Sequence, residues 1–275
     1  MLASGQDNPG YIAVGDEYIV WTNTTAGTVM KVRINGGGAI VVASGQNEPW
    51  GVTVTPTTIY WTNIGDGTVM TAPTGGGAPT QFASGQAGPA GVTRDGTNVY
   101  WANSSNGTVM AAPLGGGTPV VLASGAGSPD GITVDATSVY WSNHMSSGGI
   151  MKAAIGGGAP VVLASGQSSP VALAVDAMNV YWLEDAAPGG VMKVGLGGGS
   201  PALITSGTDP LGVVVDSATL YFTDWGANTV SSVSVNGGSA TVLASGQTGA
   251  NGIAQDTTSI YWTTAVGGTV MRLAK

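Results

Sequence analysis

Gly131-Ile132-Thr133-Val134, Asp135-Ala136-Thr137, Val139-Tyr140-Trp141-Ser142, Gly149-Ile150-Met151-Lys152-Ala153 and Val161-Val162-Leu163-Ala164 follow one another in a single stretch, and their order decides the fold. Short runs rich in Val, Ile, Tyr and Trp alternate with turn residues, so the stretch reads as four short antiparallel strands with a turn at 135–137. The unit recurs along the chain. Its aromatic pair returns as Val20-Trp21, Tyr60-Trp61, Tyr100-Trp101, Tyr140-Trp141, Tyr181-Trp182, Tyr221-Phe222 and Tyr261-Trp262, at spacings of 40, 40, 40, 41, 40 and 40. Each pair precedes a Gly-containing turn and, in five of the seven repeats, a run such as Gly107-Thr108-Val109-Met110, a triple glycine such as Gly115-Gly116-Gly117 and a last run such as Val121-Leu122-Ala123. Four strands per repeat, seven times over, predict an all-β protein, a seven-bladed β-propeller forming one domain over residues 1–275.

A lone blade cannot bury both its faces, but blades stacked in a ring bury one another's, so the repeated Trp, Met, Ile and Val are expected to be core. The chain starts with Met1-Leu2-Ala3-Ser4-Gly5, which matches the end of a repeat, and its last residues, Met271 to Lys275, reach only the end of a third strand. Leu2, Ala3 and Ser4 are therefore expected to complete blade seven, pairing near Arg272 and Leu273 and covering an open edge.

Composition bounds the chemistry. Of 275 residues 47 are Gly, charged residues make up 8% and the net charge is −8, so no basic stripe exists to neutralise nucleic-acid phosphates. With no Cys there is neither a thiolate metal site nor a Cys nucleophile. No apolar run approaches the roughly 18 residues of a spanning helix, so no membrane insertion is expected, and the first residues lack a signal-peptide layout. Sparse Lys with abundant Gly, Thr, Ser and Asn leans towards an exported, extracellular or periplasmic bacterial protein, expected to be a monomer.

The quartets that begin with the aromatic pair, Tyr60-Trp61-Thr62-Asn63 and above all Tyr221-Phe222-Thr223-Asp224, resemble the YWTD repeats of the low-density lipoprotein receptor family of propellers. That resemblance implies the propeller ring and a binding role. The family's ring is usually six-bladed; here there are seven repeats, with Asn at 23, 63, 103 and 143, Glu at 184 and Thr at 264 in the place of the aspartate.

Seven copies can be compared with each other, and a site is expected where one copy departs from the rest. In a propeller the inter-blade loops and the loops between second and third strands share one face, around the channel mouth. At the start of the first strand one slot reads Gly10, Trp50, Ala90, Asp130, Val171, Leu211 and Asn251, which is either a chemically varied rim or drift in an exposed loop. Six of the eight tryptophans occupy the repeated core position; Trp50 and Trp225 do not, and both fall in mouth loops where they could anchor a ligand or fold over their own loops. Trp50, Asp130, Trp225, Asn251 and His144 are the expected ligand-binding set.

His144, the one histidine, sits in a mouth loop with an extra residue; Glu184 and Asp185 sit in the next blade's loop and Asp224 in the one after. This offers two kinds of chemistry: Glu184, Asp185 and Asp224 around a divalent cation such as calcium, or an acid/base pair of His144 with Glu184. Seven-bladed lyases similar to virginiamycin B lyase and six-bladed lactonases similar to gluconolactonase place such groups at the channel mouth. A lone histidine, however, cannot build a two-histidine arrangement.

The remaining motifs read as structure. The triple glycines join third to fourth strands and are hairpin turns. The sequons Asn23-Thr24-Thr25 and Asn103-Ser104-Ser105 arise from the repeated quartet. Asp95, Asp135, Asp176, Asp216 and Asp256 are expected to bond their own turns. Ala13, Thr53, Thr93, Thr133, Ala174, Val214 and Ala254 are expected to line a water-filled channel, with Arg94 and Gln255 either facing polar partners or turned into it. The reading favoured is a binding propeller that grips a small molecule, glycan or peptide at its mouth, without a cofactor. The alternatives are a metal-assisted lyase or lactonase-like hydrolase, and a recently amplified or engineered scaffold with no evolved ligand.

Overall fold

Strands form where the alternation places them. The structure, a computed structural model, describes residues 1–186 and 188–275. It holds 27 strands and, among the described residues, no helix. The strands gather in sequence order into six four-stranded sheets and one three-stranded sheet. In blade four they are Pro129–Val134, Ser138–Asn143, Gly148–Ala154 and Val161–Gln167, all antiparallel. First strands of successive blades touch all the way round, the last against the first, so the chain is a seven-bladed β-propeller.

The aromatic pair explains the ring. In a strand successive side chains point to opposite faces, so Tyr and Trp of one pair serve two different neighbours. Trp21 packs with Tyr261, Trp101 with Tyr60, Trp141 with Tyr100, Trp182 with Tyr140, Phe222 with Tyr181 and Trp262 with Tyr221, while Trp61 meets Val20. Each of the seven interfaces thus buries one such contact, aromatic on both sides in six of them. Fully burying an aromatic side chain removes roughly 150–250 Å² from water.

Polar rivets set the spacing. Gln46 donates its backbone N–H to Gly27 of blade one (2.9 Å), while its side-chain oxygen accepts from Trp61 Nε1 (2.9 Å) and Asn63 Nδ2 (3.1 Å) of blade two. Gln6 and Gln86 repeat all of this, and Gln247 holds Trp262 in the same way. The quartet's threonine links forward: Thr62 donates to the Ala90 carbonyl at 2.6 Å, and Thr263 closes the ring on the Gly10 carbonyl at 2.6 Å. Asn23 and Asn103 spend their amides inside this network and are buried, so neither sequon is open to modification. The recurrent aspartates bond their own turns, Asp135 accepting from the Thr137 and Ser138 amides and from Tyr140.

The N-terminal segment completes blade seven, but one turn of the ladder from where it is expected. Leu2 N–H donates to the Val270 carbonyl (2.8 Å), Val270 N–H donates to Ala3 (3.0 Å), and Gln6 N–H donates to Gly268 (3.0 Å). Pairing is therefore at Val270 rather than Arg272 and Leu273. Those two sit further along the strand, where Arg272 instead reaches across to Ser259 and the Ile34 carbonyl.

The channel is the clearest correction. Its narrow part, about 160 Å³, is lined by Ile12, Val52, Val92, Ile132, Leu173, Val213 and Ile253, one residue before the expected slot. A shift of one residue exchanges the two faces of a strand, and Ala13, Ala174, Val214 and Ala254 pack instead into the clusters between blades. The channel wall is apolar and branched. Arg94 and Gln255 find polar partners, donating to the Val54 and Val215 carbonyls of the preceding blade at 3.0 and 2.6 Å.

Two outcomes follow for stability. Deleting residues 1–5 strips the Val270 ladder and exposes the cluster of Trp21 and Tyr261, so thermal melting should shift down; an unchanged melt contradicts this closure. Gln46→Ala leaves two buried donors unpaired and should cost about 1–3 kcal/mol in a denaturant titration; a loss below a few tenths contradicts the rivet.

Candidate functional site

One end of the ring carries every inter-blade loop and every loop between second and third strands. There a bowl of about 480 Å³ opens, within the roughly 300–1,000 Å³ of small-molecule sites. Trp50, Asp130, His144, Trp225 and Asn251 all line it, and so does Asp185. The departures from the repeat therefore converge on one cavity.

Tyr11 belongs to this set and escapes the sequence comparison. Its slot otherwise reads Gly51, Gly91, Gly131, Ala172, Gly212 and Gly252. Glycine is needed there because the inner strands crowd together: a Cβ on Gly91 would stand 2.3 Å from the Asp130 carbonyl oxygen, and one on Gly131 2.5 Å from that of Val171. In blade one a tyrosine stands in that slot, lining both the bowl and the channel below it. Its ring lies 5.5 Å from Trp50, tilted by 47°. Burial, reinforced by Asp130, raises the phenol well above its usual range, while the neighbouring Trp50 indole opposes the shift. That indole Nε1 is buried and makes no hydrogen bond of good geometry.

Acidic groups and the imidazole occupy blades four to six. His144 Nε2 lies 3.6 Å from Asp185 Oδ2, and both side chains are about two-fifths exposed to the bowl. Asp130 is half-buried on the floor; burial raises its carboxyl above the ordinary range, His144 pulls it back and Asp185 adds to the rise. Behind Asp185, Asp209 is pushed up to about 6 by burial, by the Asp185 carboxyl set against it and by repulsion from Asp185 and Asp224. Its Oδ1 is buried without a partner.

Glu184 and Asp224 do other work. Glu184 accepts from the Ser168 amide (3.0 Å); Asp224 accepts from the Thr208, Asp209 and Ala227 amides at 2.8, 3.1 and 2.9 Å. Neither lines the bowl. The partner of His144 is thus Asp185 in place of the expected Glu184. In these two blades the last residue of the quartet ends a strand and is captured by loop amides, whereas Asp185, the residue after Glu184, lines the mouth. Among the described residues, no three His, Asp or Glu side chains converge to hold a metal ion, so Glu184, Asp185 and Asp224 do not form the expected carboxylate ring.

Charge is divided between the two ends. All seven Lys and Arg lie at the far end, in strand halves and turns away from the bowl, where Lys31, Lys152 and Lys193 grip carbonyls of the next blade. Seven carboxylates, Asp16, Glu17, Asp95, Asp135, Asp176, Asp216 and Asp256, balance them there. The other eight, Asp7, Glu48, Asp66, Asp130, Glu184, Asp185, Asp209 and Asp224, sit on the mouth face, which therefore carries the whole formal charge of −8. The far end has a larger hollow, about 820 Å³, but its walls are the repeated turns and its charges are already engaged, Arg33 with Glu17 at 3.6 Å and Arg94 with Val54.

No protein-family model matches the chain, and no curated protein matches it in sequence. Solved structures do match in shape. A virginiamycin B lyase from Staphylococcus aureus is 14% identical with a TM-score of 0.85, covering 98% of this chain and 96% of its own. A streptogramin B lyase is 15% identical with a TM-score of 0.84, covering 100% of this chain and 96% of its own. A chain of the nidogen/laminin complex is 21% identical with a TM-score of 0.64, covering 76% of this chain and 87% of its own. Likeness at such identities is one of fold, and the fold shared with the two lyases over nearly the full length is this ring.

Proposed function

We propose that the chain is a non-enzymatic binding propeller that takes a small molecule into the mouth bowl. The observation that carries this reading is the convergence of Tyr11, Trp50 and Trp225, three aromatic residues the repeat does not require, on one cavity with Asp130, Asp185 and Asn251. Aromatic rings supply large contact area at little cost in side-chain entropy, and the acids and amide orient what lies between them. The YWTD kinship suggested by the quartets, with its binding role, fits this reading and draws support from the likeness to the nidogen/laminin chain. A glycan or a peptide end could use the same walls, and an exported monomer would present the bowl freely.

A thermal-shift screen of small amines, sugars and short peptides, followed by calorimetric titration, tests it. Trp50→Ala and Trp225→Ala should each weaken the best compound by roughly tenfold or more, as loss of an aromatic anchor does. A compound held equally by wild type and both variants contradicts the reading.

The second reading, a lyase or hydrolase, draws on one observation, the His144–Asp185 pair beside Asp130, whose carboxyl burial raises above the ordinary range. Asp185 would orient the imidazole and Asp130 would donate a proton. Streptogramin B, the compound that one of the similar lyases is named for, is the one to try. Turnover that His144→Ala abolishes and Glu184→Gln spares would favour catalysis; no turnover by wild type removes it for this substrate.

A further inference from the structure

We propose that the bowl selects an organic cation, an amine or quaternary ammonium group, with its charge beside Asp130 and Asp185 and its carbon shell against Tyr11, Trp50 and Trp225. This rests on the small-molecule reading above and names the ligand's chemistry.

Three independent observations carry it. The walls pair carboxylates with aromatic faces, and no Lys or Arg lies among the residues lining the bowl. Indole and phenol rings attract a cation placed over their faces, most strongly where water is excluded. The second observation is the partition of charge: every Lys and Arg is at the opposite end, so an approaching cation meets an attractive field over the whole mouth face and an anion meets repulsion. The third is that the acidic sector lacks a countercharge. Asp209 Oδ1 is buried without a partner, and of the groups facing Asp185 and Asp209, which are Asp130, His144 and Asp224, only the imidazole can be positive.

The same walls argue against a metal ion. Calcium takes about 6–8 oxygen ligands, whereas Glu184 and Asp224 are held by backbone amides and Tyr11, Trp50 and Trp225 take up part of the bowl wall. A large, weakly hydrated cation suits one edge of carboxylate and one of ring faces. Its charge would also favour the ionised form of Asp209, so binding should release a proton and strengthen as pH rises through about 6.

The intact chain can be titrated with choline chloride, with 3,3-dimethylbutan-1-ol as its uncharged isostere, and with calcium chloride, following tryptophan fluorescence and heat. Choline should bind about tenfold tighter than the isostere. Asp185→Asn and Asp130→Asn should each erase that preference, with melting curves confirming the fold, and Trp50→Ala should weaken both compounds. Equal binding of choline and the isostere overturns the cation inference while leaving the small-molecule reading in place. Calcium binding in preference to choline overturns both. If neither choline nor the isostere binds while other screened compounds do, the cation inference alone falls.

Discussion

The fold depends on one repeated contact, the Trp of each blade laid against the aromatic or branched residue of the blade before it. Because the two residues of a pair point to opposite faces of a strand, each pair belongs to two interfaces, and the ring closes only when the seventh meets the first. Apolar contact sets the attraction but not the spacing. At four of the seven interfaces a glutamine supplies the spacing, its backbone tied to one blade and its side chain to the next. Blade six shows the rule by exception: it has Phe222 without an N–H, Thr208 where the Gln would stand, and Asp224 taking loop amides in place of the Asn pattern. Donor and acceptor are lost together, and little is left unpaired. Blade four has lost only the acceptor, with Ala126 in the glutamine's slot, and Trp141 Nε1 is left buried and unbonded.

Stability so concentrated in second strands, third strands and inter-blade glutamines leaves the mouth loops free to vary. That is why the departures cluster there, and why the altered copies, blades four to six with the Trp50 turn, surround a cavity while the strands behind them stay alike. The far end is used differently. Lys31, Arg94, Lys152, Lys193 and Arg272 stitch blade to blade there through carbonyls, which engages most of the basic groups in holding the ring.

Blade number, strand order and the core were legible because the repeat is strict and the aromatic pair cannot be mistaken. The mouth set was legible through the same regularity: Trp50, Trp225, Asp130, His144 and Asn251 stand out against six other copies. Tyr11 was not found, although its signal was present, because the slot chosen for comparison was one residue earlier and there blade one shows only Gly10. The channel wall failed for the same one-residue reason, since alternation gives a strand's period and not which face looks inward. Glu184 was favoured over Asp185 as the partner of His144 because the sequence carries no record of which carboxylate the loop amides capture. Asp209 lies before Pro210 like an ordinary turn residue, and it is burial, with Asp185 and Asp224 close by, that raises it to about 6.

The division of charge ties architecture to the bowl. Lysines that bridge blades must sit near the turns between third and fourth strands, where the next blade's carbonyls are exposed, so the far end receives the positive charge for structural reasons. Turn aspartates then balance it, because each also caps its own hairpin. The mouth, which has no such bridging work, keeps its acids uncompensated. With Tyr11 at the head of an apolar channel, an approaching ligand meets carboxylate and aromatic surface together, and the low polarity beneath strengthens any charge contact made above it. A negative aromatic bowl is thus what remains when a weakly charged chain places all its basic residues at the other end of the ring, most of them holding blade to blade.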